Sequence, residues 1–180
     1  VQVHIFNQRS VDEIFAMLYQ LAAMVGEAEQ GLQHIARMQA RLQEIRAAAQ
    51  SLPRRPRIFF EEWYEPHISA IRWVSELVEI AGGQDCFPEL ARMPMGRDRI
   101  IADGSEIVRR APDIIISWCG RKFRPEQVAV RAGWQDVPAV RTGQVFEIKS
   151  ADILQPGPAC LGDGVEQLHR IILDWAERHA

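Results

Sequence analysis

The stretch R-I-F-F-E-E-W-Y-E-P-H-I-S-A-I-R-W-V-S-E-L-V-E-I-A-G-G, Arg57 to Gly83, decides the reading of this chain. The apolar run Ile58, Phe59 and Phe60 predicts a strand that stops at Glu61. An apolar stripe predicts a helix from Ile68 to Ala81, closed by Gly82-Gly83 as a C-terminal cap. In open α/β sheets, ligands sit at the carboxyl ends of strands. Glu61, Glu62, Trp63 and Tyr64 would stand at such an end, and two carboxylates beside two large aromatics there form a candidate binding surface.

The pattern of strand then helix repeats downstream. A short helix is expected from Asp103 through Arg110, and a strand over Ile114 to Trp118. Pro125 suits the first position of a helix through Ala132. Val137 to Val140 and Val145 to Ile148 read as a short strand and its continuation. Asp152 to Pro158 reads as a proline-rich loop, and Cys160 to Glu177 as an amphipathic helix with Leu161, Val165, Leu168, Ile171, Ile172 and Trp175 on one face. Strands alternating with helices imply an α/β fold with a mostly parallel, helix-covered sheet. Adjacent parallel strands would bring Trp63, Tyr64 and Trp118 to one rim, a surface suited to a large planar ligand. Trp73 and Trp175, on helix faces, are expected in the core.

Upstream, Val1, Val3 and Ile5 alternate with polar residues and read as a strand. Ser10 and Glu13 fit a capping box, followed by apolar residues at helical spacing: Ile14, Phe15, Leu18 and Leu21. A second helical pattern, Leu32 to Ala49, would make Glu27 to Gln50 roughly 36 Å long at ~1.5 Å per residue. Leu52-Pro53-Arg54-Arg55-Pro56 is a breaking linker. A leading strand with no partner suggests the middle of a longer protein. On that expectation, Ile14, Leu18 and Leu21 are left uncovered, and self-association or a partner chain is expected to cover them.

The 180 residues carry a net charge of −3, which argues against a general nucleic-acid binder. Cys86, Cys119 and Cys160 form no C-x-x-C pair, and His67 stands alone, so no metal site is expected. Glu61, Glu62 and Glu65 read either as an acid/base pair or as solvated loop charge. Ser69, Ser75 and Ser117 lack the nucleophile-elbow context, and there is no glycine-rich phosphate loop.

Four segments together resemble a known family: E-E-W-Y-E-P (Glu61 to Pro66), W-V-S-E-L-V-E-I-A-G-G (Trp73 to Gly83), A-P-D-I-I-I-S-W-C-G (Ala111 to Gly120) and I-L-Q-P-G-P (Ile153 to Pro158). They are similar to the cobalamin-binding protein family, the helical-backbone periplasmic binding proteins of ABC importers for cobalamin, haem and iron-siderophores. The resemblance implies two α/β lobes joined by one long helix, with the ligand between them. It makes residues 1–9 the last strand of an N-terminal lobe, 10–56 the helical linker, and 57–180 a Rossmann-like C-terminal lobe. It implies a non-enzymatic, periplasmic or lipoprotein-anchored carrier with no intrinsic cofactor, handing cobalamin or a related metal chelate to a membrane permease. Haem or iron-siderophore carriage, or a chelatase-type enzyme on the same fold, are the alternatives. The ligand-facing positions it implies are Glu62, Trp63, Tyr64, Trp118, Cys119, Gly120, Leu154 and Gln155. It places a permease-docking carboxylate at Glu106; the other reading of Glu106 is a carboxylate favoured by its helix dipole.

Overall fold

A computed structural model of the chain describes residues 1–118 and 125–179. Cys119 and Gly120 lie outside the described residues. The chain enters through helix α1 (Val11–Met24), and its capping box forms as expected: Ser10 Oγ accepts from the Glu13 backbone N–H at 3.2 Å, and the Glu13 carboxylate accepts from Ser10 N–H at 3.3 Å. Gly26, at φ +80°, turns the chain into the 23-residue helix α2 (Ala28–Gln50). The two helices pack so closely that a Cβ added to Gly31 would lie 2.2 Å from the Ala22 Cβ. Only glycine permits that approach.

The sheet is built on β1 (Arg57–Tyr64). Parallel to it on one side runs β4 (Ile114–Ser117), and parallel to β4 runs β5 (Val145–Glu147). Two short strands share the other edge of β1. The parallel β3 (Gln84–Asp85) pairs with its beginning, and the antiparallel β2 (His67–Ser69) pairs with its end. Because side chains alternate along a strand, β1 and β4 feed two cores. Ile58, Phe60, Ile114 and Ile116 pack with helix α3 (Arg72–Ala81), with α1 and α2, and with the C-terminal helix; Phe59 and Ile115 pack with Phe87, Ile107, Val128 and Trp134 on the opposite face. Gly82 closes α3 at φ +104° in the left-handed conformation, as its sequence predicts.

Connecting pieces are the short helices α4 (Pro88–Ala91), α5 (Ser105–Arg110), α6 (Pro125–Ala129), α7 (Pro138–Arg141) and α8 (Ser150–Ile153). A π-helical turn, Cys160–Gly164, leads into α9 (Val165–Arg178). Trp73 and Trp175 are buried in the core as expected, and Trp73 Nε1 donates to the Ile153 carbonyl at 3.0 Å.

The structure corrects several sequence expectations. Strand β1 does not stop at Glu61 but continues to Tyr64, because β2 supplies it with a hairpin partner. The same pairing takes Ile68 out of helix, and α3 begins only at Arg72. Val137 to Val140 is not a strand: Pro138 opens a helical turn, and a short apolar run has no periodicity that separates the two states. The 152–158 loop begins inside helix α8, and helix α6 ends at Ala129, short of Ala132. Among the described residues no strand pairs with residues 1–9; Val1, Val3 and Ile5 are exposed, while Phe6 packs on the core. Nor is the apolar face of α1 left bare, since Ile14 is fully buried and Leu18 and Leu21 pack against the same core.

Candidate functional site

Parallel strands place their carboxyl ends together, and the ends of β1 and β4 carry the aromatic rim expected from the sequence. Trp63 and Tyr64 stack with ring centroids 6.1 Å apart, and Trp63 lies 6.3 Å from Trp118. Trp63 and Tyr64 remain 42% and 40% exposed, with the Trp63 indole N–H donating to the Glu65 carbonyl at 2.9 Å. Three large rings share one partly solvated surface, an arrangement that costs apolar hydration unless something flat covers it.

Beneath the rim the two carboxylates are neither solvated nor free. Glu61 is completely buried. Arg131 grips it in a fork, Nη1 to Oε1 at 2.6 Å and Nη2 to Oε2 at 2.9 Å; Ser117 Oγ donates to Oε2 at 2.9 Å, and His67 Nδ1 sits 2.9 Å from Oε1. His67 therefore does not stand alone. Burial pushes the Glu61 carboxyl up, but the hydrogen bonds from His67 and Arg131, the Arg131 charge and the Ser117 hydroxyl outweigh it, and the group lies below its ordinary value. The Arg131 guanidinium covers Trp134, 4.6 Å from its ring centroid, and His67 packs on the same ring at 5.4 Å. Glu62 is matched in turn by Arg99, with Nη1 to Oε2 at 2.7 Å and Nη2 to Oε1 at 3.0 Å. Arg99 is itself buried and also donates to the Ser69 carbonyl. Both carboxylates are thus ion-paired, which makes acid/base chemistry by this pair a poor fit.

Strand β5 runs parallel to β4, so the chain carrying Leu154 and Gln155 leaves from the same end of the sheet. Leu154 packs partly on the core and Gln155 is exposed. Glu106 stands in the first turn of α5, paired with Arg109 and, at 2.8 Å, with Arg110, which also meets Glu89 at 2.6 Å. Hydrogen bonds from Arg110 and Arg109 hold its carboxyl below the ordinary value. A cavity of about 730 Å³, lined by Tyr64, His67, Ser105, Arg109, Arg131 and Trp134, separates α5 from the hairpin. Cys86 and Cys160 are buried, and burial pushes the Cys86 thiol up to about 12. Among the described residues no group of three or more His, Cys, Asp or Glu could hold a metal ion, and no helix is long and apolar enough to cross a membrane.

Sequence reasoning missed Arg131, Arg99 and the role of His67. Arg131 is 70 residues from Glu61, and no local spacing joins them. The one available signal was Glu61 itself, following three apolar residues of a strand buried on both faces.

Comparison with known families matches residues 1–151 to the model for periplasmic binding proteins. Among solved structures, the fold is similar to a possible iron-binding, periplasmic solute-binding protein from Staphylococcus epidermidis (TM-score 0.80, 18% identity, covering 94% of this chain and 65% of that one). It is also similar to the periplasmic vitamin B12 binding protein BtuF of Vibrio cholerae (TM-score 0.72, 20% identity, 97% and 66%) and to the periplasmic heme-binding protein RhuT from Roseiflexus sp. RS-1 (TM-score 0.76, 18% identity, 94% and 65%). The chain thus spans just under two thirds of the length of these structures. Comparison with curated proteins gives no match.

Proposed function

We propose, from the premise that the chain belongs to the periplasmic binding protein family, that it presents one wall of a cleft for a flat metal chelate, cobalamin or a related compound such as haem or an iron-siderophore. Residues 57–180 act as the C-terminal lobe and 10–56 as the helical connector. The role is carriage, outside the cytoplasm, to an ABC permease, rather than catalysis. The observation that carries this reading is the partly exposed cluster of Trp63, Tyr64 and Trp118 over two carboxylates already neutralised by arginine. A large chelate ring covers such a surface with the charges of Glu61 and Glu62 already paired. Trp63, Tyr64, Trp118 and the Leu154-Gln155 loop contact the ligand, Glu62 borders it, and Glu106 meets a cationic surface of the permease. The neighbours named for B12 and heme support this ligand class.

Titration of the chain with cyanocobalamin, haemin and a ferric siderophore, followed by tryptophan fluorescence, tests the reading. At least one compound quenches, and Trp63→Ala and Trp118→Ala each weaken its binding about tenfold, the effect of losing ~1.4 kcal/mol. If none quenches, or if both substitutions leave affinity unchanged, the site is elsewhere.

A further inference from the structure

The β1–β2 ladder slips register between Glu61 and Trp63, and the β1–β4 ladder ends at Glu61 and Ser117, so neither ladder reaches far enough to fix Trp63 against the end of β4. Glu61 sits at that slip. Its side chain reaches Ser117 on β4, His67 on β2 and Arg131 from the segment after α6, while its backbone carbonyl accepts the Trp118 N–H at 3.2 Å. Trp63 is two residues beyond Glu61 along one strand, and Trp118 directly follows Ser117 on the other. A buried ion pair is a weak source of stability compared with an apolar pair of the same volume. Its directionality is what an apolar pair lacks, since a bidentate arginine fork fixes a carboxylate in angle as well as distance.

We propose that Arg131 is a positioning residue for the aromatic rim: by gripping both oxygens of Glu61 it holds the β1–β2 hairpin against the end of β4 and fixes Trp63 beside Trp118. This rests on the rim being the ligand surface. Arg131 is held in turn by Trp134, whose ring lies under its guanidinium and packs edge-on to Phe59, so the clamp is anchored in the core on that face of the sheet. Loss of the clamp frees Trp63 to rotate away from Trp118, and a flat ligand then meets two unaligned rings.

The test uses near-ultraviolet circular dichroism and ligand titration together, far below the melting temperature. The pair signal is the part of the parent spectrum that Trp118→Ala abolishes. Arg131→Met is expected to lose at least half of it, and to bind haemin or cyanocobalamin, whichever quenches the parent more, at least tenfold more weakly; Arg131→Lys recovers part of both. Because Arg131→Met leaves a buried charge and can fail to fold, Glu61→Leu/Arg131→Met removes both charges. That double variant is expected to melt cooperatively and still lose the pair signal. In a Trp63→Ala background, Arg131→Met costs under threefold further affinity. A double variant that keeps the parent's pair signal and affinity overturns the assignment while leaving the ligand site standing. A parent that binds no probe overturns the ligand site, and the ellipticity then judges Arg131 alone.

Discussion

Two buried carboxylates at opposite ends of the sheet respond to burial in opposite ways. Glu61, at the carboxyl end of β1, is fully buried and lies below its ordinary value. Asp85, on β3 beside the beginning of β1, is 9% exposed and lies above its own. Desolvation is the largest influence on both and pushes both up. The difference is in the partners. Glu61 has a bidentate arginine, a histidine and a hydroxyl, whereas Asp85 has only a side-chain hydrogen bond with Ser75 and the Phe87 N–H at 3.0 Å, faces the charges of Glu79 and Glu89, and keeps Oδ2 without a partner. Burial sets the stakes, and the partner set decides the sign. The carboxylate with the fuller partner set is the one two residues before Trp63 of the aromatic rim.

The largest effect expected from breaking this comparison is at Arg131. Arg131→Met leaves Glu61 buried with only His67 and Ser117 as side-chain partners among the described residues, and denaturant unfolding at pH 7 should show a loss of about 3 kcal/mol. The pH profile separates this from a packing defect. A carboxyl held below its ordinary value of 4.5 contributes stability that is fully present above that value and is lost as pH falls through the folded pKa. The difference between parent and Arg131→Met should therefore be full near neutrality and shrink in acid. A difference independent of pH would return Glu61 to ordinary packing.

Asp85 predicts the reverse at smaller scale. Its raised pKa costs stability once pH exceeds the ordinary value of 3.8, so Asp85→Asn should stabilise the chain at pH 7. The gain is roughly 1 kcal/mol, about 2–4 °C in melting temperature, and it should vanish below about pH 4. A destabilised Asp85→Asn would show that the negative charge is used. The smallest effect belongs to Glu106. Its pairs with Arg109 and Arg110 are partly solvent-exposed, and such pairs add little to stability. Glu106→Gln should leave the melting temperature where it was, and a clear drop would make Glu106 structural rather than a docking carboxylate.

How much of this was legible depended on chain distance. The Ser10–Glu13 capping box, the long helix α2, the Gly82 cap and the burial of Trp73 and Trp175 all follow from residues within a turn or two of each other, and all were read correctly. The shared rim of Trp63, Tyr64 and Trp118 followed from one further step, that parallel strands align their ends. The β1–β2 hairpin was hidden because Ile68 and Ile71 fit a helical stripe as well as a strand and its exit, and only pairing to the extension of β1 chose between them. The Arg131 fork and the Arg99 pair to Glu62 were out of reach, because each joins residues whose proximity the tertiary fold creates.

The central claim is that a flat metal chelate lies on the Trp63–Trp118 rim. Its most direct test is a crystal of this chain grown with cyanocobalamin or haemin, with the cobalt or iron located by its anomalous scattering. The account predicts the metal above the rings of Trp63 and Trp118, at the carboxyl ends of β1 and β4. A metal found instead in the cavity between Tyr64 and Trp134, or against the helices α1 and α2, would contradict it.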